Sequence, residues 1–211
     1  MTILNNSIGA ICLSIAAASA NAALIGGVEF PDGSVSFADT VVSYAPGSGV
    51  SAPHNNPNAA LGIPDTGEGS YVSLGWGGSL VLRFVDNSLT TSGTSDLDLW
   101  VFEIGAQVEP TDVDISINGL DWVSVGSVAG ATSGIDIDQF IGLGVELDER
   151  YSFVRLTDQN KRQSGSPWAG ADINAVGAIA SADAVAEVPV PAAAWLFGSA
   201  LFGLVAAKRR R

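Results

Sequence analysis

DVDISINGLDWVSVG, residues 112–126, reads as two β-strands folded back on each other. Val113 and Ile115 alternate with Asp112, Asp114 and Ser116, the period of two that sends successive side chains to opposite faces of a strand. Asn118-Gly119 follows, a dipeptide that tolerates the positive φ of a tight hairpin turn. Trp122, Val123 and Val125 resume the strand pattern, so 112–117 is expected to turn into 121–128.

Outward from this hairpin, short runs rich in Val, Ile, Phe and Trp recur between Gly, Asn, Asp and Ser. They span 27–30, 35–44, 71–75, 79–85, 96–104, 135–140, 151–157 and 173–180. No 3.6-residue period appears between them, which predicts an all-β sandwich rather than a βαβ fold. A jelly roll accommodates this number of strands. Gly75-Trp76-Gly77-Gly78 is expected to close a second hairpin, between 71–75 and 79–85. Residues 45–58, with Pro46, Gly47, Gly49, Pro53 and Pro57, form a long loop and hence a candidate functional surface. No internal repeat is visible.

Both termini carry export signals. Residues 8–18 are apolar and Ala20-Asn21-Ala22 offers a small-x-small cleavage site, so residues 1–22 read as a secretory signal peptide. Its first residues hold no Lys or Arg. Cys12 follows Ile11 rather than a small residue, which argues against lipidation. Cleavage after Ala22 removes the chain's one cysteine, so the mature protein has no disulfide. At the other end, VPVPAAAWLFGSALFGLVAAKRRR places a proline pair before a charge-free run, 192–207, and then four cations. As helix that run spans roughly 24 Å, just under the roughly 30 Å hydrocarbon core. The terminal cations keep their end cytoplasmic and leave everything upstream outside.

Residues 23–187, 165 in all, are enough for one domain with a real core. Domain 23–180 is followed by a short polar linker, 181–187, and by the tail, 188–211. The 23–187 stretch holds five Lys and Arg against 22 Asp and Glu, a formal charge of −17. That excludes the basic stripe of a nucleic-acid binder and disfavours an anionic lipid surface. It permits calcium binding, neutral glycan binding or plain solubility in a salty medium.

The tail resembles the PEP-CTERM sorting signal of exosortase substrates, through Pro189-Val190-Pro191, the AAAWLFGS string containing Trp195, the apolar stretch and Arg209-Arg210-Arg211. Val190 stands where that motif's glutamate falls. The resemblance implies export by the Sec machinery and a transient inner-membrane anchor with its C-terminus cytoplasmic. It further implies exosortase cleavage near the prolines, release or re-anchoring at the cell surface, and association with exopolysaccharide and biofilm. The strings NAALGIPDTGEGSYVSLGWGGSLVLRF, DLDLWVFEIG, DVDISINGLDWVSVG, YSFVRLTD and AGADINAVGAI, from about Asn58 to Ile179, resemble a galactose-binding-like jelly roll of the discoidin and carbohydrate-binding kind.

That second resemblance implies a structural Ca2+ shared between the early loop and a carboxylate near the last strand. Asp65 and Asp172 would be its principal ligands, with Asn58, Thr66 and Glu68 beside them. A glycine-rich loop can turn carbonyls toward such an ion, which takes six to eight oxygens; otherwise Asp65 caps a turn and Asp172 is solvated. Alternation places Glu103 on the aliphatic face of 95–104, where a carboxylate needs a partner; Arg83 and Arg155 interrupt apolar strands and are expected to supply it. The same three residues could instead hydrogen-bond sugar hydroxyls on an exposed sheet. Trp76 and Trp168, in glycine-rich loops, are expected sugar-stacking platforms or lids on the core, while Tyr71 and Trp122 are expected to pack in strands.

Catalysis has little support. His54 is the sole histidine, expected on the loop surface, and no nucleophile-elbow motif accompanies it. The alternations Asp96-Leu97-Asp98-Leu99, Asp112-Val113-Asp114-Ile115 and Ile135-Asp136-Ile137-Asp138 read as the wet faces of strands. The expectation is a non-enzymatic, calcium-supported glycan-binding module of the extracellular matrix. The alternatives are a structural or adhesive matrix protein that binds other proteins or itself and, third, a glycan-processing enzyme using a carboxylate pair.

Overall fold

The computed structural model describes residues 22–67, 69–105, 107–161 and 165–185. The expected signal peptide up to Asn21, Glu68, Ala106, residues 162–164 and the chain from Ala186 onward lie outside the described residues. The expected sorting motif and transmembrane helix are therefore outside them too. Among the described residues there is no α-helix, and none long and apolar enough to cross a membrane.

The protein is an all-β sandwich. Eight strands pair in nested fashion, outermost with outermost. β4 (Val72–Ser73) pairs with β12 (Asp172–Ala178), and β5 (Ser79–Arg83) with β11 (Phe153–Asp158). β7 (Leu99–Glu103) pairs with β10 (Thr132–Ile135), and β8 (Thr111–Ser116) with β9 (Val123–Val128). All four pairings are antiparallel, and this folded-back ladder is the jelly-roll order. The strands form one sheet in the order β10-β7-β12-β4, and a second in which β3 (Thr40–Ala45) joins the edge, β3-β5-β11-β8-β9. Leu80, Leu82, Val113, Ile115, Val154 and Leu156 from the second sheet meet Leu99, Val101, Ile173 and Val176 from the first, all buried.

The opening hairpin folds as its alternation requires. Val113 and Ile115 are core, Asp112 and Asp114 face outward. Asn118 does more than permit a turn. Its Oδ1 accepts from the N–H groups of Leu120 and Asp121 at 2.8 and 2.9 Å, so the connection is a side-chain-stapled loop longer than two residues. β9 carries an extra residue between its pairings with Asp112 and Asp114, and Gly126, at φ 97°, lies in that bulge.

β7 is buried on both faces. Leu99 and Val101 point into the sandwich, while Phe102 and the partly buried Trp100 meet a second apolar cluster on the outer side. There β1 (Ala23–Ile25) and β2 (Val28–Phe30) form a hairpin that brings Phe30 against Phe37 and Phe102, ring centroids 4.6 and 6.1 Å apart.

Four expectations differ from the structure. Gly75-Trp76-Gly77-Gly78 does not close a hairpin, because β4 and β5 belong to different sheets and these residues turn the corner between them. The run 35–44 begins as a 3-10 turn, Gly33–Ser36, and only Thr40–Ala45 is strand. The run 135–140 leaves the sheet after Ile135 as the 3-10 turn Ile137–Phe140, because the Asp136 side chain accepts the Asp138 N–H at 3.0 Å and caps it. Ser181–Asp183, expected to open the linker, is strand β13 and pairs with β6 (Asn87–Leu89), so the domain reaches past residue 180.

Candidate functional site

The expected functional loops gather at one end of the sandwich, where β3, β7 and β11 finish and β5, β8 and β12 begin. The segment 48–50 runs between the two loop tryptophans: Ser48 bridges Trp76 and Val50 bridges Trp168. The Trp76 N–H donates to the Ser48 carbonyl at 3.1 Å. Side chains far apart in sequence are thus held on either side of one strip of backbone.

Trp168 is 47% exposed. Its Nε1–H donates to His54 Nε2 at 2.8 Å. Indole nitrogen only donates, so Nε2 accepts and the imidazole proton sits on Nδ1. The His54 ring stacks on Tyr71, centroids 4.6 Å apart and 12° from parallel. The histidine backbone is pinned as well, N–H to Ser51 and carbonyl from Ser73. His54 is therefore not surface decoration but a buried prop, 5% exposed, that fixes the angle of the indole. Tyr71, expected to pack in a strand, forms the back of this stack.

Beneath the loops lies a group of buried acids. The Glu103 Oε1 accepts from the Glu109 N–H at 3.0 Å. Asp172 accepts the Ser73 hydroxyl, and the Tyr44 hydroxyl donates to the Ser73 carbonyl at 2.7 Å. Glu109 Oε1 is buried with no hydrogen-bond partner. Burial, together with the charge of Glu109, pushes Glu103 up to about 8 and Asp172 up to about 7, against the backbone N–H of Glu109 and the Ser73 hydroxyl, which lower them. Burial and then Asp172 raise Tyr44 to about 12. Glu103 and Asp172 thus bind their protons more tightly than free carboxyls do.

The expected partners of Glu103 are elsewhere. Arg83 and Arg155 stand on the outer face of the five-stranded sheet, because alternation along β5 and β11 sends them away from the core that Glu103 borders. Arg155 lies directly across from Asp114 and reaches its Oδ2 through Nε and through an NH2 group, both at 2.9 Å, with the guanidinium 4.5 Å from the Trp122 ring centroid. Trp122 is accordingly a surface stacking partner rather than a packed strand residue. Arg83 lies 5.3 Å over the ring of Phe153. Half-exposed ion pairs and cation–π contacts are each worth well under 2 kcal/mol, so Arg155→Ala should lower stability by about 1 kcal/mol in a urea titration. A loss several times larger would show that Arg155 is tied to the core.

The residues expected to share Ca2+ differ in burial: the early-loop side chains are exposed and Asp172 is buried. The Asp65 carboxylate is exposed and faces the Gly67 N–H at 3.5 Å, the turn-capping role. Asn58 and Thr66 are exposed, and Glu68 lies outside the described residues. Asp172 is buried on Ser73. The side chain that does reach the loop is Asn174, whose Nδ2 donates to the carbonyls of Asp65 and Ser70 at 3.1 and 2.6 Å. Those carbonyls are met by an amide N–H, and the Asn174 Oδ1 beside them is buried with no hydrogen-bond partner.

Sequence reasoning missed Glu109, Asn174 and the role of His54. Asn174 had a signal, a polar residue inside the otherwise apolar run INAVGAI; Glu109 had none, because its loop carries no periodicity.

No family model and no curated protein matches the chain. Among solved structures, the C-terminal domain of a chitobiase from Bacteroides fragilis is similar at 12% sequence identity, covering 67% of this chain and 95% of that one with a TM-score of 0.35.

Proposed function

We propose that the protein is an exported, surface-sorted, non-enzymatic component of the extracellular matrix that binds glycan at the loop end of its β-sandwich. The observation that carries the reading is the Trp168 indole, half exposed yet locked by His54 and Tyr71. Aromatic faces stack on the C–H faces of sugar rings, and a ring that is already immobile loses little entropy on binding. Trp76 flanks the same backbone strip and extends the surface. The Glu103–Glu109 pair, 5% and 1% exposed, lies under the loops rather than in an open cleft, which favours a structural over a catalytic role. The signal peptide and PEP-CTERM-like tail support passage through Sec and an exosortase, with the producing cell's exopolysaccharide as the glycan.

Binding of the purified protein to that exopolysaccharide, followed by tryptophan fluorescence, tests this. Trp168→Ala should weaken binding at least about tenfold, the worth of one good stacking contact, with unchanged far-UV circular dichroism. Unaltered affinity in Trp168→Ala, or no binding by the wild type, would remove the reading.

A second reading, an adhesive protein that binds other proteins or itself, is favoured by the opposite end. There Ile117, Leu120, Leu143 and Leu147 are exposed on the two loops that flank a shallow groove lined by Ile117, Val123 and Tyr151. Concentration-dependent light scattering separates it from the first.

A further inference from the structure

Three carboxylates meet at the end of the sandwich away from Trp168. Asp98 immediately precedes β7, Asp136 caps the 3-10 turn after β10, and Asp138 lies within that turn. One ligating oxygen from each lies within 4.8 Å of the other two. The alternating Asp-Leu-Asp-Leu pattern predicted a wet strand face here, but the strand begins only at Leu99; Asp98 is 0% exposed and Leu97 is exposed instead. Asp136 is buried as well.

Asp98 is only half satisfied. Its Oδ2 accepts from the Ile137 N–H at 2.8 Å, whereas its Oδ1 is buried with no hydrogen-bond partner. An ionised oxygen left bare inside a protein is among the costlier arrangements available to a side chain. The other two carboxylates are met by neutral donors. Asp136 accepts from the Asp138 N–H and from Gln139 Nε2 at 3.0 and 3.1 Å. Asp138 accepts from the Ser92 N–H and hydroxyl and from the Gly93 N–H, at 2.9, 3.1 and 3.1 Å. These bonds orient the three groups without cancelling their charge.

We propose that Asp98, Asp136 and Asp138 form a calcium-binding site. The donors are all carboxylate oxygens, with no imidazole or thiolate, which suits a hard cation; the ion would give Asp98 Oδ1 the partner it lacks and offset the clustered charge. Its structural effect is a clamp. The Asp98 carbonyl already accepts from Ile179 and Ala180 at the end of β12, and Asp138 holds the Ser92–Gly93 turn. A bound ion joins that turn, the start of β7, the end of β12 and the turn after β10. The site is independent of the glycan reading and of the early-loop residues.

Thermal melting of the full-length protein in chelator and in about 10 mM Ca2+ tests the site, that concentration being above the ~10−4–10−3 M range of extracellular calcium modules. Calcium should raise the melting temperature by about 3 °C or more. Magnesium, reluctant to shed water, should give little rise. Asp98→Asn should abolish the calcium response and melt in chelator at or above the wild-type temperature, because the unpartnered charge is gone. Asp138→Asn, at a half-buried position, should also lose the response and serves if Asp98→Asn does not fold. Asp65→Asn should keep it in full. The site is refuted by no rise with calcium in the wild type or by an equal rise with magnesium. It is equally refuted by a response that survives in the Asp98 or Asp138 variant, or by one that disappears in Asp65→Asn.

Discussion

The melting temperature of the protein in chelator should fall by about 10 °C between about pH 5 and about pH 9, at roughly 2–4 °C per kcal/mol for a domain of this size. Three buried carboxyls produce the slope: Glu103 at about 8, Asp172 at about 7 and Asp98 at about 6 in the folded state. In the unfolded chain all three ionise near pH 4. Between those values the folded protein binds more protons than the unfolded one, so stability decreases as pH rises. The contribution is complete below about pH 4, shrinks through the window and is gone above about pH 8, a change of several kcal/mol in all. The domain's excess of carboxylates over Lys and Arg adds self-repulsion in the same direction. Glu103→Gln keeps an oxygen for the Glu109 N–H and removes the charge, so it should flatten the upper part of the profile and raise the melting temperature at pH 9. A melting temperature that is level or climbs from pH 5 to pH 9 would show that these groups ionise freely in the fold.

Gly47→Ala or Gly78→Ala should destabilise the domain by more than about 4 kcal/mol, the range reserved for steric failure in a core. The corner between β4 and β5 is built by backbones in direct contact. A Cβ on Gly78 would lie 1.9 Å from the Leu74 carbonyl oxygen and 2.3 Å from the Gly47 nitrogen, and one on Gly47 would lie 2.2 Å from the Trp76 oxygen. Gly75 and Gly170 close the same contact, at φ 77° and 72°, with the Gly75 N–H on the Ala169 carbonyl at 2.7 Å. No flexible side-chain end is there to move aside. Asp158 secures the corner by accepting from the Gly77 N–H at 2.8 Å. Gly165→Ala, where an added Cβ meets nothing within 4 Å, is the control and should be neutral within about 0.5 kcal/mol. Urea midpoints and the near-ultraviolet signals of Trp76 and Trp168 report both; a wild-type midpoint in Gly78→Ala would mean the corner yields.

This corner also marks where local pattern stops being informative. A glycine-rich tetrapeptide between two apolar runs is indistinguishable in sequence from a hairpin turn, because both use positive φ, here at Gly75 and Gly77. Which sheet each flanking strand joins is decided by partners far along the chain, Asp172 across from Ser73 and Thr157 across from Ser79. The candidate site behaves likewise. Trp76 and Trp168 were legible as glycine-loop tryptophans, but the support of Trp168 comes from His54, 114 positions away. Glu103 was legible as a carboxylate on a core face. That it pairs with Glu109 rather than an arginine follows from strand alternation, which points Arg83 and Arg155 to the other side of the facing sheet.

The all-β sandwich, the core face of each long strand, the 112–128 hairpin and the acidity of the domain are written in short stretches of sequence. Alternation and turn chemistry are local, and each can be read within a dozen residues. Long-range pairing sets which loops share an end, which carboxylates lose their water and which keep it. Those depend on burial, and burial is set by the nested pairing of strands distant along the chain. Asp98 shows the difference most plainly: one residue outside its strand, it left the solvent face that its pattern assigned to it and joined Asp136 and Asp138.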